Sequence, residues 1–371
     1  MAGTISMSLP DLDDTDVQAV VRVLRSDRLA LGPQAVEFER SIAKYAGVEH
    51  GVAVSSGTAA LHLIVKALGI GAGDEVLVPS FTFAASVNAF IYEGAIPVFV
   101  DIEADTYNLD PADLERRITP RTRAIMAVDV FGHPAEWDEI LRIADKHRLK
   151  VIDDSCEALG AEFKGRKLGA FGNAAAFAFY PNKQITTGEG GMIATDDAEV
   201  ARLCRSLRNQ GRAEMGSWLE HERLGYNYRM DEMSAALGVS QLKRIDAFVE
   251  RRERVARGYT ERLQRLDWVR PPVVKPHVRM SWFVYVVTLA DGLQRDEVMR
   301  HMEAQGIPVR AYFSPVHLQP YILERFGSRM ELPVTETIAQ RTIALPYHNK
   351  LSDGQIDRVV ATLTRAVDTL S

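Results

Sequence analysis

The chain has 371 residues, 46% hydrophobic and 25% charged, with a formal net charge of −6. That length is too great for one small core and suits two domains, and the acidic balance gives no footing for nucleic acid. No stretch approaches the roughly 18 uninterrupted apolar residues of a membrane span. The opening MAGTISMSLPDLDD has no basic start followed by an apolar block, so no signal peptide is expected. Two cysteines, Cys156 and Cys204, are too few for a disulfide framework or a zinc site, and the nine histidines show no metal-ligand spacing such as HExxH. A reduced, cytoplasmic setting without a metal is expected.

Residues 14–47 carry helical periodicity (Val17, Val20, Val21, Leu24, then Phe38 and Ile42) around a turn at Leu31-Gly32-Pro33. From residue 50 the pattern becomes strand, loop, helix, repeated. Strands are expected at Gly51–Val54, Asp74–Val78, Ile96–Val100, Ala124–Val130, Leu149–Ile152, Ala174–Tyr180 and Met192–Thr195. Helices are expected after Ser55-Ser56-Gly57-Thr58, over Thr82–Tyr92 and over Glu136–His147. This alternation predicts an α/β fold: a mostly parallel mixed sheet with helices on both faces. Ligands of such sheets collect at the carboxyl ends of the strands. Residues 231–267 read as one long helix joining the sheet domain to a tail. The tail carries a strand (Trp282–Leu289), a helix (Arg295–Gln305), a strand (Pro308–Phe313) and a closing helix (Asp353–Leu370). The division is expected near residue 250, giving a large domain over 1–250 and a smaller C-terminal α/β domain over 251–371.

One amine sits where chemistry is expected. Lys183 follows the buried run Ala174–Tyr180 and precedes a glycine-rich turn at Gly188, Gly190 and Gly191. Desolvation disfavours a bare ammonium there, and a neutral lysine amine is the nucleophile of Schiff-base chemistry. Ser56-Gly57-Thr58, between a strand and a helix, offers free amides and the positive end of a helix to a phosphate; taken alone it is an ordinary N-cap. Asp153-Asp154 ends a buried run, and side-chain alternation lets only one of the two face a pocket. Asp154 could hold a cationic ring nitrogen, or simply cap the next helix. Phe81 and Phe83 follow Pro79-Ser80, where an aromatic can stack on a heterocycle or pack in the core. Together these groups supply an amine for an imine, a phosphate seat, an acid for a pyridinium and an aromatic lid. That is the inventory pyridoxal 5′-phosphate (PLP) requires.

The chain resembles the DegT/DnrJ/EryC1/StrS sugar aminotransferases of the fold-type-I PLP superfamily. The likeness runs in order through LGPQAVEFE, SSGTAALHL, GDEVLVPSFTF, GAIPVFVDI, VIDDSCEALGA, FYPNKQITTGEGGM, GYNYRMDEMSAALG and YFSPVHLQP. It implies that Lys183 links to PLP and shuttles a proton, and that Asp154 pairs with the pyridine nitrogen. Ser56, Gly57 and Thr58 would hold the phosphate, Phe83 would stack on the ring, and Glu157 would lie near it. Asn227 would reach the cofactor phosphate of a neighbouring subunit, so the sites would be shared across a homodimer. Tyr312, His317 and Arg229 would line the substrate side. The implied reaction moves an amino group from L-glutamate to a keto group, at carbon 3 or carbon 4, of a nucleotide-linked 6-deoxy sugar. A keto-inositol as acceptor and a non-catalytic regulatory role are the alternatives, and retention of Lys183 argues against a dehydratase.

Three positions depart from the family's usual pattern. Ala178 stands where a phosphate-binding serine is common, and Glu157 where glutamine or histidine is. Asp129 stands where a histidine often precedes the Phe-Gly pair. Two carboxylates near one ring repel unless Glu157 is protonated or turned toward a cation.

Overall fold

The structure is a computed structural model and describes residues 5–213, 220–327 and 330–370. Its central sheet has seven strands: β1 (His50–Val54), β2 (Glu75–Pro79), β3 (Ile96–Val100), β4 (Thr122–Val128), β5 (Lys150–Asp154), β6 (Ala174–Ala178) and β7 (Gly191–Thr195). Their order across the sheet is β1-β7-β6-β5-β4-β2-β3. Only β7 runs against its neighbours; the other six strands share one direction. Six carboxyl ends and the amino end of β7 therefore open onto the same edge.

The pleat explains the near-continuous apolar strands. Val76 and Val78 pack with Leu61, Ile64 and Phe90 of the helices Gly57–Ala67 and Ala84–Ile91. Leu77, between them, packs with Ile140 and Trp137 of the helix Trp137–His147 on the opposite face. A strand covered on both sides needs apolar residues at successive positions.

A second, three-stranded antiparallel sheet is built from Val269–Arg270, Tyr285–Leu289 and Thr342–Leu345. Its core also takes Ile5 from the start of the chain, and the Tyr347 amide donates to the Met7 carbonyl at 2.9 Å. Residue 250 lies inside the helix Ile245–Leu263. We propose that the two parts divide within that helix, with the amino-terminal segment returning to the second part.

Two expected elements are corrected. The single helix over 231–267 is two, Glu232–Leu242 and Ile245–Leu263. Arg244, at the break, pairs with Asp13 and Asp16, and the Gln241 side chain donates to Asp16 at 2.7 Å; these ties to the first helix turn the chain. The strand expected over Pro308–Phe313 is not a strand. Pro308 has no amide to give a ladder, and the segment makes one isolated bridge, Arg310 to Ala344. No helix among the described residues is long and apolar enough to cross a membrane.

Candidate active site

A cavity of about 630 Å³ lies on the carboxyl edge of the central sheet. Strand ends and turns along that edge build its wall: Ser56–Thr58 after β1, Thr82, Phe83 and Ser86 after β2, Val128 at the end of β4, Asp154, Cys156 and Glu157 at and after the end of β5, and Ala178, Asn182 and Lys183 at and after the end of β6. Phe283, Arg310, Tyr312 and Phe313 close it from the second part, and Met7 from the amino-terminal segment.

The helix Gly57–Ala67 begins in this wall. Ser56 caps it by accepting the Ala59 amide at 3.1 Å, and the first-turn amides of Gly57 and Thr58 have no helical carbonyl to meet. Glycine is required at 57 by space. A Cβ there would stand 2.7 Å from the Ala178 Cβ and 2.9 Å from the Cys156 sulfur. Burial pushes the Cys156 thiol well above its usual range, so it packs here as a small apolar group and not as a nucleophile.

The two aspartates of β5 face opposite ways. Asp154 faces the cavity; the Ser86 hydroxyl donates to its Oδ2 at 2.6 Å and the Cys156 amide lies 3.2 Å from its Oδ1. Asp153 turns to the other side with Asp129. Ser155 Oγ stands 2.6 Å from Asp153 Oδ1 and 2.8 Å from Asp129 Oδ2. One hydroxyl has one proton to donate, so the second contact calls for a proton on one of the carboxyls. Burial pushes Asp129 up to about 6 and Asp153 well above its ordinary range. Asp129 also accepts the Ala135 amide at 2.8 Å and the Trp137 indole N–H at 3.1 Å. The departure at Asp129 therefore belongs to the packing beneath the site and not to its wall.

A pH effect follows. The Asp129 carboxyl is raised above its unfolded value of about 4, so its contribution to stability is complete below about pH 4 and is lost as pH rises through about 6. Asp129→Asn should remove Asp129's share of that loss and, by taking away a neighbouring charge that helps raise Asp153, lessen Asp153's share as well. The stability difference between wild type and variant, followed by urea unfolding from pH 4 to 7, should shrink by on the order of 2 kcal/mol. Buried His133, held down to about 4 by desolvation, titrates in the opposite sense but in both proteins, so it cancels in the difference. Parallel pH profiles would refute the assignment.

The lysine amine is nearly enclosed. Lys183 Nζ lies 3.5 Å from Glu157 Oε1 and 3.8 Å above the centre of the Phe283 ring. The other Glu157 oxygen accepts the Phe131 amide at 3.0 Å. Burial pushes the Glu157 carboxyl up and the Lys183 ammonium pulls it down. The departure at Glu157 is thus met by a cation and a main-chain donor.

Of the residues expected at the site, Ser56, Gly57, Thr58, Phe83, Asp154, Glu157, Lys183 and Tyr312 line this one cavity. The two phenylalanines divide in the turn that follows β2: Phe81 is buried against Tyr107, Phe131 and Phe313, while Phe83, at the start of the helix Ala84–Ile91, is 65% exposed on the wall. Three expected residues are not on the wall. His317 is buried beside it, its ring 2.6 Å from the Ser80 hydroxyl and 3.4 Å from Glu336, so it locks two loops together. Arg229 donates to Asn209 at 3.0 Å, in the Asn209–Asn227 region. Asn227 is exposed on the surface of this chain.

Sequence reasoning did not reach Ser86, Phe283 or Met7. Ser86 carried a faint signal, as a lone hydroxyl on the buried side of an apolar helix; Phe283 and Met7 come from distant segments that only the fold brings here. Ala178 lies against Gly57 at the start of the helix Gly57–Ala67, on the cavity wall. Ala178→Ser should tighten PLP binding by about tenfold or more, the worth of one bond to a charged group. An unchanged dissociation constant by fluorescence titration would mean that another group already fills that position.

The DegT/DnrJ/EryC1/StrS aminotransferase family model matches residues 10–364. The chain is 42% identical over 371 residues to a GDP-perosamine synthase of Caulobacter vibrioides, covering 98% of each chain. It is 40% identical to the dTDP-3-amino-3,4,6-trideoxy-alpha-D-glucose transaminase of Streptomyces venezuelae, covering 94% of this chain and 90% of that one. Among solved structures, Spr1654 of Streptococcus pneumoniae in its PLP form superposes with a TM-score of 0.94 at 28% identity, covering 100% of each chain. The chain belongs to the DegT/DnrJ/EryC1/StrS aminotransferase family.

Proposed function

We propose that this protein is a PLP-dependent aminotransferase that moves an amino group from L-glutamate to a keto carbon, 3 or 4, of a nucleotide-linked 6-deoxy sugar. The observation that carries the reading is the enclosed Lys183 amine on the same cavity wall as Asp154 and an open helix start. The fit to PLP is also supported by Gly57, which lets the helix start pack directly on Ala178 and Cys156 at the cavity wall. The Asn182 side-chain oxygen, on the same wall, is buried without a partner among the described residues.

PLP bound there supplies an electron sink for the carbon that loses a proton. The chain's own groups do the rest. Lys183 Nζ anchors the cofactor and carries the proton to and from the reacting carbon. Asp154, held by Ser86 and the Cys156 amide, keeps the ring nitrogen protonated. Ser56, Gly57 and Thr58 seat the phosphate, Phe83 covers the ring, and Tyr312 and Arg310 face the incoming substrate. A nucleotide-linked sugar is supported by the GDP- and dTDP-named relatives. A homodimer is supported by exposed apolar residues such as Leu31, Val36 and Tyr92 and by the outward position of Asn227. A cytoplasmic location is in keeping with two free cysteines.

The test is the visible spectrum of the purified protein before and after L-glutamate. A yellow protein that bleaches with glutamate, and then aminates a keto-sugar nucleotide, is the expected result. A colourless protein that takes up no PLP would overturn the reading.

A further inference from the structure

The helix Ile245–Leu263 buries a stripe of Ile245, Phe248, Val249, Val255, Ala256, Tyr259 and Leu263. Arg252 occupies the turn of that stripe where the spacing calls for another apolar residue. It is 3% exposed, and among the described residues no carboxylate pairs with it. Burial holds its pKa below the ordinary arginine range. A guanidinium in such a place is costly unless its donors are used.

Its two terminal nitrogens are used on main-chain carbonyls from two segments, while Nε has no partner among the described residues. Nη2 donates to Lys183 at 3.0 Å and, more weakly, to Asn182 at 3.5 Å. Nη1 donates to Trp282 at 3.0 Å and to Phe283 at 3.2 Å. These segments carry the amine and the ring beneath it. From Phe283 a second path returns to the amine: its amide donates to the Phe131 carbonyl at 3.0 Å, the Phe131 amide donates to Glu157, and Glu157 faces Lys183. The contacts form a closed circuit around Nζ, and Arg252 joins its two main-chain ends. The planar fork fixes both segments at once; a lysine offers donors from one point and cannot span them.

We propose that Arg252 is a positioning residue that sets the place of the Lys183 amine by fastening its backbone to that of Phe283. It touches neither substrate nor cofactor and moves no proton. This role in turnover rests on the proposed aminotransferase reading; the effect on the Lys183 loop does not.

The test compares wild type with Arg252→Lys and, should that variant not fold, Arg252→Gln. In the apoprotein, hydrogen exchange followed by mass spectrometry should quicken in the peptides spanning 180–190 and 280–285 and stay unchanged in the rest of the second sheet. With PLP loaded, the first half-reaction with L-glutamate should slow by about 10- to 100-fold, as expected for a group displaced by about an ångström. The PLP dissociation constant should stay within about threefold, since Arg252 does not reach the phosphate seat. Unchanged exchange at 180–190, a half-reaction within threefold of wild type, exchange quickening across the whole second part, or failure of both variants to fold would each overturn the proposal. A wild-type protein that never reacts with glutamate would instead overturn the aminotransferase reading, while the exchange result still judges Arg252.

Discussion

Lys183→Ala should stop amino-group transfer and leave the chain folded. The side chain contributes no apolar packing that the fold depends on; it reaches past the Phe283 ring to Glu157. Its loss removes both the anchor for PLP and the base at the reacting carbon. Positioned proton transfer alone is worth about 10²–10⁴-fold, and loss of covalent anchoring adds to that, so turnover should fall at least about 10⁴-fold, to background. Glu157 then loses the cation that pulls its carboxyl down, and burial drives it further toward the protonated form. The check is amino-sugar formation by chromatography, alongside circular dichroism and sedimentation. Retained turnover would remove Lys183 from the assigned role.

Asp154→Asn is the subtler and nearly as damaging change. The amide keeps the carboxylate's shape, and its oxygen can still accept from Ser86 or the Cys156 amide. What disappears is the negative charge that keeps a ring nitrogen protonated. The half-reaction with L-glutamate should slow by about 10²–10⁴-fold, while PLP still binds through the helix start. Stopped-flow absorbance measures the rate, and a change below threefold would dismiss the acid–ring pairing.

Much of this arrangement was legible in the chain because period and alternation are local properties. Runs such as Val76–Val78 gave the parallel strands, and strand ends gave the edge where Ser56, Asp154 and Lys183 meet. Alternation also anticipated that only one of Asp153 and Asp154 would face the cavity. His317 was misjudged because a histidine beside a pocket and one within its wall look alike in sequence; its partners Ser80 and Glu336 are far away in the chain. The break at Arg244 depends on Asp13 and Asp16, more than two hundred positions earlier. Arg252 did leave a trace, a charge on an apolar stripe, but its meaning rests on carbonyls that no side-chain pattern encodes.

The one reversed strand, β7, bears on how such a chain can diversify. Because β6 and β7 are hydrogen-bonded neighbours, the segment from Phe179 to Gly190 is the closing loop of a hairpin, pinned at both roots. One inserted residue adds up to about 3.5 Å of contour, as much as separates Lys183 Nζ from Glu157, 3.5 Å. An insertion there would shift the amine relative to Glu157. New sugar preferences in relatives of this chain should arise by lengthening or rewriting the other rim loops, with the amine held as a fixed reference point.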